Sequence, residues 1–172
     1  MSIGHDTGAT QALFREAMSR FPSGVTLVTT VDADGRPRGF TATAFTAVSM
    51  APPLVLTCLD RTADCHPAFL ATRAFAVNIL GVQHRALACR FASKGVDKFA
   101  GASFTDTALG SPGLVDAVAT VDCETAQLIE AGDHTILLGL VRHVRLGEAP
   151  PVVYAHRGFR EMTERHDPLG PL

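Results

Sequence analysis

Four short segments carry the side chains with which this chain could handle a small molecule. Thr41-Ala42-Thr43-Ala44-Phe45-Thr46-Ala47-Val48-Ser49 is the densest run of hydroxyls. Along an extended strand Thr41, Thr43, Phe45, Ala47 and Ser49 project to one side and Ala42, Ala44, Thr46 and Val48 to the other. Side chains this small let a flat ring lie close to the backbone, and hydroxyls and main-chain groups then bond its heteroatoms; Thr is equally a common strand residue. Leu59-Asp60-Arg61-Thr62-Ala63-Asp64 stands where a strand gives way to a helix. An Arg, a hydroxyl and free amides at such a turn suit a phosphate, although Arg61 alone also reads as a solvated turn residue. Arg90-Phe91-Ala92-Ser93-Lys94-Gly95-Val96-Asp97-Lys98-Phe99 sets one Arg and two Lys about a glycine, which suits an anion or, equally, a solvated helix end. Gly132-Asp133-His134-Thr135 puts an imidazole at a turn before a long apolar strand, where it faces solvent or contacts a carboxamide or ring carbonyl. His143, flanked by Arg142 and Arg145, reads as solvent-facing, and His5, His66, His84 and His166 show no partner pattern.

The missing motifs narrow the chemistry. There is no G-x-G-x-x-G after a strand, no G-x-x-x-x-G-K-[ST], no H-E-x-x-H and no G-x-S-x-G. Dinucleotide domains, P-loops, zincins and α/β-hydrolases are therefore disfavoured. Cys58, Cys65, Cys89 and Cys123 have no zinc spacing, so no metal site is expected and the thiols read as reduced. Net charge is −2, which gives no global reason to bind nucleic acid or an anionic membrane. The chain has no Trp and one Tyr, so Trp stacking cannot hold a ligand. The N-terminus lacks the basic start and apolar core of a signal peptide, and a cytoplasmic location is expected. The most apolar stretch, residues 50–59, is too short to span a bilayer. With 47% hydrophobic and 19% charged residues and a mean hydropathy of +0.19, the 172 residues can fold as one apolar domain.

The elements that must position these segments follow from periodicity. Residues 1–9 read as a flexible N-terminus. Leu13, Phe14, Ala17 and Met18 recur at helical spacing from Thr10, the expected cap, to Arg20, and Phe21-Pro22-Ser23-Gly24 stops the helix. Val25 to Val31, a turn at Asp32-Ala33-Asp34-Gly35 and a strand from Gly39 to Met50 predict an antiparallel pair. Leu54 to Leu59 reads as a strand buried on both faces. Helices are expected over 67–73 and 83–93, a strand over 75–80, and an irregular ligand-facing loop over 95–113. Two strands are expected within 117–130, then the turn at Ala131-Gly132-Asp133, a long strand over 135–146 and short ones over 152–154 and 159–162. The domain is bounded at 10–162, with a C-terminal tail over 163–172. Many short strands, few helices and long antiparallel ribbons predict a mainly β chain closed as a barrel.

Taken together, Phe14-Arg15-x-Ala17-Met18 with Phe21-Pro22-Ser23-Gly24-Val25, GFTATAFTAVSMAPPLVL at 39–56, FAVNIL at 75–80 and AGDHTILLGLV at 131–141 resemble the flavin reductase-like family. These are small NAD(P)H:flavin oxidoreductases that serve two-component flavin monooxygenases. The resemblance implies an FMN-binding, Greek-key-like split β-barrel with a few flanking helices, assembled as a homodimer that takes FMN or FAD, with NADH or NADPH as co-substrate. It implies that Thr41, Ala42, Thr43, Ala44, Phe45 and Ser49 line the isoalloxazine, and that Asp60, Arg61, Thr62 and Ala63 meet the ribityl and phosphate. Phe91, Ala92, Ser93, Lys98 and Phe99 would approach the phosphate or adenine side, Tyr154 would close the pocket, and His134 would be the catalytic residue facing the nicotinamide. The family often has Asn or Ser where this chain has Thr43 and Ala44, and Tyr where it has Phe159. The competing readings are an FMN-binding oxidase or electron-transfer protein on the same barrel, and a flavin-responsive module without turnover.

Overall fold

A computed structural model describes residues 7–162. Its elements are α1 (Thr7–Ser19), β1 (Ser23–Gly24), β2 (Thr26–Val31), β3 (Pro37–Ala42), β4 (Phe45–Met50), β5 (Pro53–Asp60), α2 (His66–Ala71) and β6 (Ala74–Ile79). A 3₁₀ turn (Val82–His84) leads into α3 (Arg85–Ala92), followed by β7 (Phe104–Asp106), β8 (Pro112–Leu114), β9 (Ala119–Ala131), β10 (His134–Leu146), β11 (Val152–Ala155) and β12 (Gly158–Glu161).

Seven strands form one antiparallel sheet in the order β3-β2-β6-β9-β10-β5-β4. β3 and β4 are consecutive in the chain, with only Thr43 and Ala44 between them, yet they occupy opposite edges. Three peptide steps reach only about 10 Å, so the sheet must curl until its edges meet. The Cys58 N–H donates to the Ala44 carbonyl at 3.2 Å, which carries the β4–β5 ladder one residue into the link. A barrel is thus dictated by one two-residue link.

The barrel interior is an apolar cluster of Val28, Phe40, Ala42, Val55, Leu59, Phe69, Phe75, Val77, Cys123 and Leu137. Outside it, α3 packs Leu87, Ala88 and Phe91 against Val25, Leu27, Leu80 and Leu114 in a second cluster. The small sheet β1-β11-β12 closes that side. Two glycines permit close approach. A Cβ on Gly39 would lie 2.7 Å from the Phe91 ring, and one on Gly139 would lie 2.6 Å from the Phe75 ring and 2.9 Å from the Cys123 Cβ.

Asn78 is the polar node of the fold and is fully buried. Its amide donates to the Leu27 carbonyl at 3.2 Å and Thr29 Oγ1 at 3.1 Å, while its oxygen accepts from the Leu114 N–H at 2.8 Å and Thr120 Oγ1 at 3.2 Å. These bonds tie β8 to the barrel wall. Asp122, also buried, accepts from Thr107 Oγ1 at 2.8 Å and the Leu109 N–H at 2.9 Å and pins the loop before β8.

Several expectations need correction. The helix begins at Thr7, so Thr10 lies inside it and residues 7–9 are helical; the rest of the 1–9 segment and the 163–172 tail lie outside the described residues. Leu13, Phe14 and Met18 are exposed, because nothing among the described residues covers that face. Gly39 to Met50 is two strands, since the Thr/Ala alternation runs unbroken through the seam and hides it. β5 alternates, with Val55, Thr57 and Leu59 buried and Leu54, Leu56 and Cys58 half-buried, because only one face meets the barrel interior. One 13-residue strand, β9, replaces the two expected within 117–130. It pairs with β10 through register shifts at Leu138/Gly139 and Val141/His143, which absorb the break in periodicity. The loop over 95–113 contains β7, and β8 begins at its end. The first turn expected for the helix over 83–93 is 3₁₀, and its His84 is buried, accepting from the Gly81 N–H at Nδ1 and lying 3.1 Å from Asp116 at Nε2.

Two of the hairpin turns differ in how they reach the left-handed region. At the first, Gly35 takes the left-handed conformation (φ 75°) and Asp32 accepts from the Asp34 and Arg36 N–H groups. At the second, between β11 and β12, His156 (φ 51°) and Arg157 (φ 58°) take it without a glycine, at a cost of about 1 kcal/mol or more each.

Candidate functional site

The ends of β3, β5, α3 and β10 converge on a cleft of about 230 Å³. β5 and β10 pair so that Asp60 stands opposite His134, at the end of the ladder where both strands leave the barrel. The Arg61 N–H donates to the Asp133 carbonyl at 3.1 Å and holds the two turns together. Asp60 then locks its own turn: the Thr62 N–H and Thr62 Oγ1 donate to Asp60 Oδ1 at 2.7 and 2.8 Å. Those bonds, helped by the charges of His134 and Lys94, hold the Asp60 carboxyl below its ordinary value. His134 is partly exposed, and its Nδ1 lies 2.7 Å from Asp133 Oδ1. That bond lowers the Asp133 pKa and fixes the ring, leaving Nε2 as its outer nitrogen.

Two ammonium groups line the cleft. Lys94 Nζ donates to the Thr62 carbonyl at 2.9 Å and Lys98 Nζ to the Gly39 carbonyl at 3.1 Å, so each keeps protons for a further acceptor. Phe40, Leu59, Ala63 and Ala92 supply apolar surface, and Cys58 lines the wall with its thiol pushed up by burial. A second cleft of about 300 Å³ shares Asp64 and Lys98 with the first and adds Arg38, Asp97 and Phe99. Cations, hydroxyls and backbone groups around a small apolar slot fit a flat heteroaromatic molecule with an anionic tail. Among the described residues no group of His, Cys, Asp and Glu could hold a metal ion.

A family model described as flavin reductase like domain matches residues 18–163. The chain belongs to this family. It is 50% identical over 152 residues to the actinorhodin polyketide dimerase of Streptomyces coelicolor, covering 88% of this chain and 86% of that one. It is 42% identical over 153 residues to the NADH:riboflavin 5'-phosphate oxidoreductase of Streptomyces pristinaespiralis, covering 87% of each. Among solved structures, the NADH:FAD oxidoreductase of Streptomyces globisporus with NAD and FAD fragments superposes with a TM-score of 0.86 at 34% identity, over 92% of this chain and 96% of that one. The split-barrel fold expected from the family resemblance is that of its structural neighbours.

In this flavin reductase-like chain the cleft gathers Thr41, Asp60, Thr62, Ala63, Phe91, Ala92, Ser93, Lys98 and His134 from the residues singled out in the sequence. The others are placed elsewhere. Ala42 turns into the barrel core, and Phe45 packs against that core from the rim. Thr43 and Ala44 form the exposed seam, and Ser49 pairs with Leu54 further along β4. Arg61 is exposed at the turn, and Phe99 lines the second cleft while stacking edge-on against Phe91 at 4.9 Å. Tyr154 and Thr43 share a third cleft beside α1. The Thr41 hydroxyl donates to the Ala88 carbonyl at 2.6 Å, so its proton is already committed to fixing α3 on β3. Leu59, Asp64 and Lys94 belong to the two anion-suited segments read in the sequence, and the structure brings Lys94 to the cleft with Lys98, four residues on. Phe40 and Cys58 were given no role there and read as plain strand residues until α3 covers that end of the barrel.

Proposed function

We infer that this chain is an NAD(P)H:flavin oxidoreductase that reduces FMN or FAD with NADH or NADPH and supplies the reduced flavin to a partner monooxygenase. The observation that carries the reading is the register pair His134–Asp60 at the mouth of a cleft also lined by Lys94 and Lys98. When bound, the flavin and nicotinamide supply the hydride chemistry themselves, from nicotinamide C4 to flavin N5, so the protein needs no nucleophile. Its residues bind and orient. Lys94 and Lys98 take the flavin phosphate, while the Thr62 and Ser93 hydroxyls, whose protons go to Asp60 and the Cys89 carbonyl, shape the turns that present them. Ala63, Ala92 and Leu59 leave room for the ring, and the Thr43–Ala44 main chain, outside both flanking strands, bonds its polar edge. His134, oriented by Asp133, presents Nε2 to the nicotinamide.

The test is a cuvette of purified chain, NADH or NADPH, and catalytic FMN or FAD. Loss of the reduced-nicotinamide absorbance with flavin turnover is expected, and a chain that binds flavin without consuming either nicotinamide overturns the reading. A second reading, dimerisation of a polyketide, is favoured by the name of the Streptomyces coelicolor relative. Dimer formed from an aromatic polyketide by this chain, with dioxygen as the two-electron oxidant and no oxygenase present, would decide for it.

The working form we infer is a homodimer in the cytoplasm. Met50 (85% exposed) on β4, Leu146 (79%) on β10 and Leu13 (72%) on α1 offer large apolar side chains for a second copy to cover. The four free thiols suit a reducing compartment. Among the described residues no helix is long and apolar enough to cross a membrane. Light scattering giving twice the chain mass is the expected result.

A further inference from the structure

The third cleft, about 410 Å³ between α1 and the β11–β12 hairpin, has a chemistry that the reading above does not use. Arg15 of α1 and Arg157 of the hairpin turn both line it, with Phe21, Tyr154 and Thr43. It is cationic in excess. Arg15 makes no ion pair among the described residues, and the nearby Glu16 carboxylate is divided between Arg20 at 3.3 Å and Arg157 at 3.5 Å. The His156 N–H donates to the Ser19 carbonyl at 2.5 Å, which fixes the hairpin turn on the end of α1 and so sets the spacing of the two arginines.

The backbone supplies a second, independent observation. A two-residue hairpin loop with both residues left-handed is the natural place for Asn-Gly. Here Ala155 pairs with Gly158, and the loop is His156 and Arg157 at φ 51° and 58°. Histidine is tolerated in this conformation more often than most residues, but arginine has no such preference. The Arg157 side chain is also 68% exposed, so packing does not require it. An arginine held at a backbone position that disfavours it, with no core role, is placed for what its guanidinium holds.

We propose that Arg15 and Arg157 clamp a nucleotide phosphate, and that this is the diphosphate of the reduced nicotinamide dinucleotide. The assignment to the nicotinamide rests on the flavin reductase reading. The flavin cleft has its own cations, Lys94 and Lys98, and the two clefts meet the chain two residues apart, at Thr41 and at Thr43. A dinucleotide whose ring lies over the first cleft can therefore reach the second with its phosphates. The planar guanidinium pair matches phosphate oxygens in a way that ammonium groups do not.

The test uses the full chain with Arg157→Gly, Arg157→Lys and Arg15→Ala. Glycine suits the turn, so Arg157→Gly is expected to melt no lower than the parent, which separates the clamp from the fold. Its KM for NADH is expected to rise about tenfold with kcat held, as when binding common to ground and transition state is removed. The KM for dihydronicotinamide riboside, which has no phosphate, is expected to stay unchanged, as is the flavin Kd. Arg157→Lys should recover part of the loss, and Arg15→Ala should resemble Arg157→Gly. An unchanged KM for NADH, or an equal loss with NADH and the riboside, overturns the clamp. A raised flavin Kd with an unchanged KM for NADH assigns the anion to the flavin and overturns the nicotinamide assignment. Calorimetric titration of inorganic pyrophosphate into the parent and Arg157→Gly chains decides the clamp without turnover. Binding lost in the variant supports it even if the parent shows no reductase activity, and no binding to the parent overturns it.

Discussion

The polar groups around Asn78 and those around Asp60 and His134 are organised in opposite ways. Asn78 is bonded to Leu27, Thr29, Leu114 and Thr120, partners 36 to 51 residues away, and every bond faces inward. Asp60 is satisfied by Thr62 two residues on, and His134 by its neighbour Asp133. Long-range bonds make a polar group part of the fold, so losing one breaks connections between strands. Short-range bonds fix a side chain's direction without drawing its outer face into the protein, and that face stays available to a ligand.

The contrast predicts where substitutions act. Asn78→Leu leaves the Leu114 N–H and the Thr120 hydroxyl without the oxygen they bond, and should cost about 3 kcal/mol of stability. A chemical-denaturation midpoint that stays at the parent value would show the node to be dispensable. His134→Ala should do the reverse, lowering kcat with NADH by about tenfold, or about 1.4 kcal/mol, with the melting temperature held. Equal losses of stability and turnover would erase the distinction. Lys98→Ala should weaken flavin binding by about three- to tenfold, since one ammonium leaves and Lys94 remains. Unchanged affinity in a flavin fluorescence titration would remove Lys98 from the site.

The smallest effect is in pH. Asp32, Asp60 and Asp133 are all held below their ordinary value of 3.8, Asp32 chiefly by the Arg36 N–H, Asp60 by Thr62 and Asp133 by His134. A carboxyl depressed in the folded state takes up protons more readily when unfolded. Its stabilisation is therefore complete above about pH 4 and drains as pH falls below that. Asp60 and Asp133 are solvent-exposed and Asp32 is half-buried, so the fall in melting temperature should be shallow, and Asp60→Asn should make it shallower still. A melting temperature that rises on acidification would contradict the sign.

The same contrast decides what was legible in the sequence. Local signals carried through: the β-branched run of β2, the Asp32–Gly35 turn and the pairing into β3 are written in neighbouring residues. So was the strand-end turn at Asp60, whose hydroxyl and acid sit two apart. What depends on closure was not legible. Thr41 and Thr43 look equivalent by alternation, but the seam sends one to α3 and the other to the third cleft. Asn78 looked like one residue of an apolar strand, because its partners come from three separate strands, β2, β8 and β9. Phe40, Cys58 and Leu59 became cleft walls only because Phe91 and Ala92 at the end of α3 lie across from them.

The Thr43–Ala44 link also constrains how the molecule can assemble in time. Its two strands leave the link for opposite edges, and β2, β6, β9, β10 and β5 must pair before those edges can meet. Most of that pairing joins distant parts of the chain, as in β6 with β9 and β5 with β10. Topology of this kind folds slowly, because loop entropy is lost before the contacts that compensate it form. The junction of those two edges is then the last part of the barrel to close and the first to open.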